Sequence, residues 1–488
     1  MALTLITGGT VVGPTGRSRA DVLLDGEQVA ALVRPGDTTL GVDLASVAET
    51  VVDATGKYVI PGAVDPHTHM ELPFGGTAAS DTFETGTRAA AWGGTTTIVD
   101  FAVQRTGERV QDSLAAWFAK AEGNCAIDYG FHQILGGVDD DSLKAMDELV
   151  TEGITSFKLF MAYPGVFYSD DGQILRAMQK AATNGSMVMM HAENGIAIDV
   201  LVRQAIERGD TAPYFHGTTR PWETEEEATH RAIMLARLAG APLYVVHMSA
   251  KQAVATLARA RDDGWNVFGE TCPQYLYLSL EEQLGARSEE WGDFEGAKWV
   301  CSTPLRSRAE GHQDELWRYL RTGDLSVVST DHCPFCMKEQ KELGLGDFSK
   351  IPNGIGGVEH RLDLVYQGVV DGKISLERWV ELCCTTPARM FGLGDRKGVL
   401  TPGADADVVV YDPAGHTSIG YTSGADAAHG NRKTHHMNMD HSAWEGFEID
   451  GHVDVVISRG KVLVSDGEYH GHPGHGQYLR RSTSAYLR

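Results

Sequence analysis

Through the middle of the chain, short apolar runs alternate with amphipathic stretches. The runs at 59–64, 95–101, 127–133, 156–160, 187–191, 242–247, 266–270 and 325–329 are too short for buried helices and are bounded by turn residues, so they read as strands. Between them, 171–182, 224–238 and 250–262 place apolar residues at helical spacing, the last with Ser249 as its expected N-cap. Eight strands with intervening helices predict an α/β chain whose residues 58–394 form a (β/α)8 TIM-like barrel. The pattern differs at both ends. Short β-rich pieces at 3–9, 20–26, 28–33 and 50–56 are matched by similar ones at 406–413 and 453–464. Residues 1–57 and 395–469 are therefore expected to pair into one small β domain, leaving 470–488 as a flexible or subunit-contacting tail. Residues 375–392 read as helix, loop and helix, with Trp379, Leu382 and Phe391 packing.

Composition narrows the class. Hydrophobic content of 42% and charged content of 22% are those of a globular protein, and 488 residues imply one large core plus a smaller unit. A formal charge of −24 leaves no basic excess to displace counterions from phosphate, which argues against nucleic acid or an acidic membrane as partner. The first residues lack the basic flank and apolar core of a signal peptide, and no run approaches a membrane span, so a cytoplasmic location is expected. Seven scattered cysteines suit reduced thiols, and Cys333 with Cys336 reads as a structural pair.

The chemistry lies at the strand ends, where a barrel of this kind carries its active site. His67 and His69 alternate along the end of the first strand and so point the same way. Alone, such a pair is unremarkable loop polarity. Here Lys158 interrupts the fourth strand, His191 ends the fifth, His247 the sixth, and Asp331 follows the eighth. Six such residues on five strands point to a metal centre, and four imidazoles with a carboxylate suit zinc or a similar divalent ion. Lys158 has two readings: a neutral amine that takes up carbon dioxide as a metal-bridging carbamate, or an ordinary ion-paired lysine.

Seven stretches carry a family likeness: DPHTHMELPF at 65–74, GGTTTIVDF at 93–101, FKLFMAY at 157–163, HAEN at 191–194, VHMS at 246–249, STDHCPF at 329–335 and NGIGGVE at 353–359. Over nearly its whole length the chain resembles the dihydropyrimidinase/D-hydantoinase family, cyclic amidohydrolases of the amidohydrolase superfamily. The resemblance implies two Zn2+ ions bridged by carbamylated Lys158 and a hydroxide. His67, His69, Lys158 and Asp331 would hold one ion, and the Lys158 carbamate, His191 and His247 the other. It implies a β-sandwich built from both chain ends and a homotetramer, or a homodimer. It also implies Tyr163, Ser302 and Asn353 as substrate contacts, Tyr163 as an oxyanion donor and Asp331 as the proton carrier.

The expected reaction opens dihydrouracil, dihydrothymine or 5-substituted hydantoins to N-carbamoyl amino acids. Leu72, Phe74, Phe160, Val166, Phe167 and Tyr168 are the expected pocket wall. An allantoinase or other cyclic amide hydrolase is the alternative within the class, and a non-catalytic scaffold relative the alternative outside it. Met70, where dihydroorotase-like chains carry Arg, and Tyr163, which allantoinases generally lack, favour the first reading, and the six filled ligand positions speak against the scaffold.

Overall fold

The computed structural model describes residues 3–36, 43–420 and 432–487. Its centre is a parallel sheet of eight strands in sequential order. These are β1 (Ala63–Thr68), β2 (Thr95–Val103), β3 (Asp128–Ile134), β4 (Ser156–Phe160), β5 (Met187–His191), β6 (Leu243–Val245), β7 (Val267–Thr271) and β8 (Val327–Val328). β1 to β5 are buried along their whole length, as expected of strands covered on both faces by helices.

Closure between β8 and β1 relies on side chains. The backbone contributes a parallel bridge from Thr68 to His332, with the His69 N–H donating to His332 O at 2.9 Å. Lower down, the fully buried Arg361 donates to Val64 O at 2.9 Å and to Val328 O at 3.0 Å, one carbonyl from each strand. Thr330 Oγ1 donates to Asp65 Oδ2 at 2.6 Å across the same seam.

The chain ends supply two further sheets. One is four-stranded, in the order Gln28–Val33, Asp21–Asp25, Leu3–Thr7, Thr50–Asp53. The other contains Thr10–Gly13, Tyr58–Pro61, Val408–Gly420 and Glu448–Ser458. Ile6, Val22, Val59, Val408 and Ile457 share one apolar core between them.

Residues 59 and 60, expected in the first barrel strand, belong to this second sheet, where Val59 faces Val410 and Ile60 faces Val409. The barrel strand restarts at Ala63. Gly62 makes the break: a Cβ there would lie 2.1 Å from Thr96 Oγ1, so only glycine lets β2 approach this closely. Helix Lys251–Asp262 begins without a side-chain cap, because Ser249 Oγ instead donates to Glu225 Oε2 at 2.6 Å. Residues 376–390 form a continuous helix through a π turn at Glu381–Thr385 rather than two helices and a loop.

The tail is folded onto the base of the barrel. Tyr129 N and O pair with Gln477 O and Leu479 N at 3.0 and 2.7 Å, and buried Arg481 donates to Phe131 O and to Ser156 Oγ. A charged knot joins it to the rest. Buried Lys397 Nζ lies 2.7 Å from Asp128, 3.0 Å from Asp405 and 2.8 Å from Asp407, while Arg459 Nε pairs with Asp128 at 3.0 Å. Gln477 N donates to the same Asp128. Burial would raise Asp128, but Lys397 and Arg459 overcome it and hold it below the usual carboxylate range.

Replacing Lys397 with Met is expected to cost about 3–5 kcal/mol, because it leaves buried carboxylates uncompensated. Denaturant unfolding near neutral pH measures it, and an unchanged midpoint would refute it. Since Asp128 is depressed, its contribution is present above the carboxylate's unfolded pKa and lost as pH falls through the folded value. The gap between wild type and variant should therefore narrow on acidification.

Candidate active site

His67, near the C-terminal end of β1, and His69, just beyond it, face the carboxylate that follows β8. His67 Nε2 and His69 Nε2 lie 3.2 Å apart, and Asp331 Oδ1 is 3.1 Å from the first and 3.2 Å from the second. Among the described residues, these three offer ligand atoms all within 4.8 Å of one another. Lys158 Nζ reaches into the same space from β4, 3.0 Å from His67 Nε2 and over the Phe101 ring. His191 and His247 form a neighbouring pair, with Nδ1 of the first 3.0 Å from Nε2 of the second. The His67 and His247 ring centroids are 5.5 Å apart, so the two groups face one cavity.

Protonation favours ligation. His67 Nδ1 donates to Glu270, at the end of β7, which leaves Nε2 as a lone pair. His191 Nε2 donates to Glu193 at 2.8 Å, leaving Nδ1 free toward His247. Burial pushes His69 down to about 3 and His247 well below the usual imidazole range, so both are neutral at physiological pH. Burial and Lys158 would lower His67 too, but Glu270 and Asp331 outweigh them and raise it. Burial pushes Lys158 down to about 8 against the pull of Asp331 and Glu270. Burial would raise Asp331, and the histidines hold it well below the carboxylate range.

Imidazole nitrogens, a carboxylate oxygen and an amine thus converge at about hydrogen-bond distance in one cavity. That donor set fits a divalent cation better than a self-contained hydrogen-bond network.

The backbone is bent to bring these groups together. Tyr163, His247 and Asp331 have φ of 62°, 38° and 51°, a left-handed conformation that costs non-glycine residues about 1–3 kcal/mol each and is typical of functional sites. The pocket is lined by His69, Leu72, Phe74, Phe160, Tyr163 and Phe167, among others, and Ser302 and Asn353 stand at its polar rim. Asn353 Nδ2 donates to Ser302 Oγ at 3.0 Å, and the Tyr163 phenol, pushed up by burial and Glu193, hydrogen-bonds with both.

All nine sequence-predicted site residues therefore meet in one place. Of the expected wall, Leu72, Phe74, Phe160 and Phe167 line the pocket. Val166 instead lies at the exposed outer cleft, because the turn at Pro164-Gly165 carries it outward. Tyr168 is also outside the lining and bridges back to Phe160.

Three carboxylates that hydrogen-bond to site residues or to the turn between them escaped the sequence reading: Glu270, Glu193, and Asp100, which accepts from Thr68 Oγ1 and Met70 N at 2.8 Å each. Glu270 was the most accessible, being the charged residue in an otherwise apolar strand end.

A barrel with a candidate metal centre at the C-terminal ends of its strands is the architecture of a barrel hydrolase. The description "Amidohydrolase family" matches residues 58–463. The chain is 61% identical over 484 residues to a D-hydantoinase of Streptomyces coelicolor, covering 99% of both chains. It is 45% identical to a D-hydantoinase of Geobacillus stearothermophilus, covering 98% of this chain and 96% of that one. A solved dihydropyrimidinase from Brevibacillus agri superposes with a TM-score of 0.91 at 45% identity, covering 99% of each. The chain belongs to the amidohydrolase family, and it is a hydrolase.

Glu270→Gln is expected to weaken binding of a divalent cation such as zinc about 10–100-fold, since it removes the charge that makes His67 a stronger ligand without removing a ligand atom. Zinc titration of chelator-stripped protein measures this, and an affinity equal to wild type would show that Glu270 does not tune the site.

Proposed function

We propose that this protein is a binuclear-zinc cyclic amidohydrolase that opens 5-substituted hydantoins to N-carbamoyl amino acids, with 5,6-dihydropyrimidines as the second substrate class. The observation that carries the reading is the convergence of His67, His69, Lys158, His191, His247 and Asp331 in a pocket with an apolar, aromatic wall and a polar rim. The similarity to D-hydantoinases supports the choice of ring. Phe74, Phe160 and Phe167 stack around the cavity, with Phe160 and Phe167 centroids 5.0 Å apart, and suit a bulky 5-substituent.

His67, His69, Lys158 and Asp331 would hold one zinc, and Lys158 as its carbamate, with His191 and His247, the other. Bound zinc supplies Lewis acidity and a water of lowered pKa. The remaining steps belong to side chains. Asp331 takes the proton of the attacking water and returns it to the departing ring nitrogen. Tyr163 donates its phenolic proton to the oxygen on which negative charge grows. Ser302 and Asn353 receive the imide edge of the ring, and the phenyl wall excludes water from the rest of it.

A homotetramer, a cytoplasmic location and a division of the chain near residues 57, 394 and 469 belong to the same proposal. The seven free cysteines agree with a reducing compartment. Among the described residues no helix is long and apolar enough to cross a membrane.

The deciding measurement is kcat/KM for 5-substituted hydantoins, dihydrouracil, dihydrothymine and allantoin, together with zinc per chain. A hydantoin should rank first with two zinc ions per chain. Preference for allantoin, or turnover without metal, would overturn the proposal. Tyr163→Phe should lower kcat by about 10²–10³ with little change in KM, as expected for an oxyanion donor. A change confined to KM would make Tyr163 a binding residue only.

A further inference from the structure

Behind the polar rim lies a lysine that the mechanism does not use. Lys341 is fully buried, and its partners are main-chain carbonyls: Nζ donates to Val300 O at 2.8 Å and to Gly354 O at 2.9 Å. Those carbonyls belong to two separate loops. Val300 lies two residues before Ser302, and Gly354 directly follows Asn353. The same loops are joined by Gly354 N donating to Val300 O at 2.9 Å and by the Asn353–Ser302 hydrogen bond.

The turn that carries Lys341 is itself anchored. Lys341 N donates to Cys336 O at 2.9 Å, and Cys336 N donates to Gln340 Oε1 at 2.6 Å. Gln340 Nε2 then reaches Thr77 Oγ1 at 3.0 Å and Ala78 O at 2.6 Å, in the loop that follows the pocket residues Leu72 and Phe74. One short turn thus touches three loops of the pocket mouth.

An ammonium buried with no counter-charge among the described residues is costly, and an apolar side chain would fill the space at lower cost. Burial pushes Lys341 down to about 7. What the lysine supplies, and a methionine could not, is two donors aimed at carbonyls on different loops.

We propose that Lys341 is a positioning residue for substrate recognition: by tying Val300 O to Gly354 O it sets the spacing between Ser302 and Asn353, and so the fit of the ring's imide edge. Lys341 touches no reacting atom in this scheme. Its effect reaches the substrate through the two loops, so it governs binding of the ring more than the chemical step. The inference rests on the cyclic-amide reading above.

The test compares wild type, Lys341→Met and Lys341→Gln for folding, zinc content, kcat and KM on a 5-substituted hydantoin. With zinc content unchanged, KM should rise about tenfold or more while kcat stays within about threefold, the pattern of lost positioning at a binding edge. Combined with Asn353→Ala, Lys341→Met should add less than its separate effect, because both act on the same contact. An unchanged KM in a folded, zinc-loaded variant would overturn the inference, as would full additivity with Asn353→Ala. If both Lys341 variants fail to fold, Gln340→Ala, which loosens the same turn from a less buried position, decides on the same KM criterion. Wild-type turnover is measured first. Its absence defeats the cyclic-amide reading and this inference together, whereas turnover with an unmoved KM defeats the inference alone.

Discussion

Everything at the candidate metal centre depends on how the barrel is closed. His67 and His69 belong to the first strand and the turn beyond it, and Asp331 to the turn after the last, so the triad spans the one junction whose strands are not sequence neighbours. Backbone pairing there is slight, and β8 is only two residues long. Arg361 holds a carbonyl of each strand, and Asp65 with Thr330 ties them again a residue or two closer to the site. A seam made of side chains can be set more finely than a ladder of backbone bonds. Its position fixes the distance between imidazoles and carboxylate.

The same logic runs outward in layers. His67 is aimed by Glu270 and His191 by Glu193, while His247 sits on a strained backbone. Glu270 takes a hydrogen bond from Tyr244 at 2.9 Å as well as from His67, so β6 and β7 both fix the orientation of a ring on β1. Asp100 does the equivalent for the turn between His67 and Met70, with Trp117 supplying a third donor. Such support is what keeps donor atoms converged before any cation arrives.

The parts legible in the sequence were those written locally. Alternation of apolar runs and helices gave the barrel, and polar residues at apolar strand ends gave all six candidate ligands, because strand periodicity alone puts them on one rim. What escaped depends on partners far along the chain. Glu270 is 203 residues from His67, Arg361 is 297 from Val64, and Arg481 is 350 from Phe131. No local pattern marks such a residue as anything but a charged side chain. The boundary at residues 59 and 60 has a local origin instead: Pro61-Gly62 interrupts the apolar run that leads to Val64, and the pairing of Val59 and Ile60 with Val410 and Val409 shows that the chain changes sheets there. The packing of the tail on its own barrel is hidden in the sequence because its anchor, Arg481, looks like surface charge in a polar, His-rich segment.

The strand at Tyr58–Pro61 faces residues 408–411, and Asp128 cannot be neutralised until Lys397 and Arg459 are present. On a ribosome, the strand at Tyr58–Pro61 therefore emerges long before its partner at 408–411. For most of synthesis, Val59 and Ile60 lack the strand they pair with, and the start of β3 carries an uncompensated acid. Contacts this distant in sequence assemble slowly and leave apolar strands open to wrong pairing meanwhile. The time for which this apolar strand stays unpaired is thus an aggregation hazard that the stability of the finished barrel does not remove.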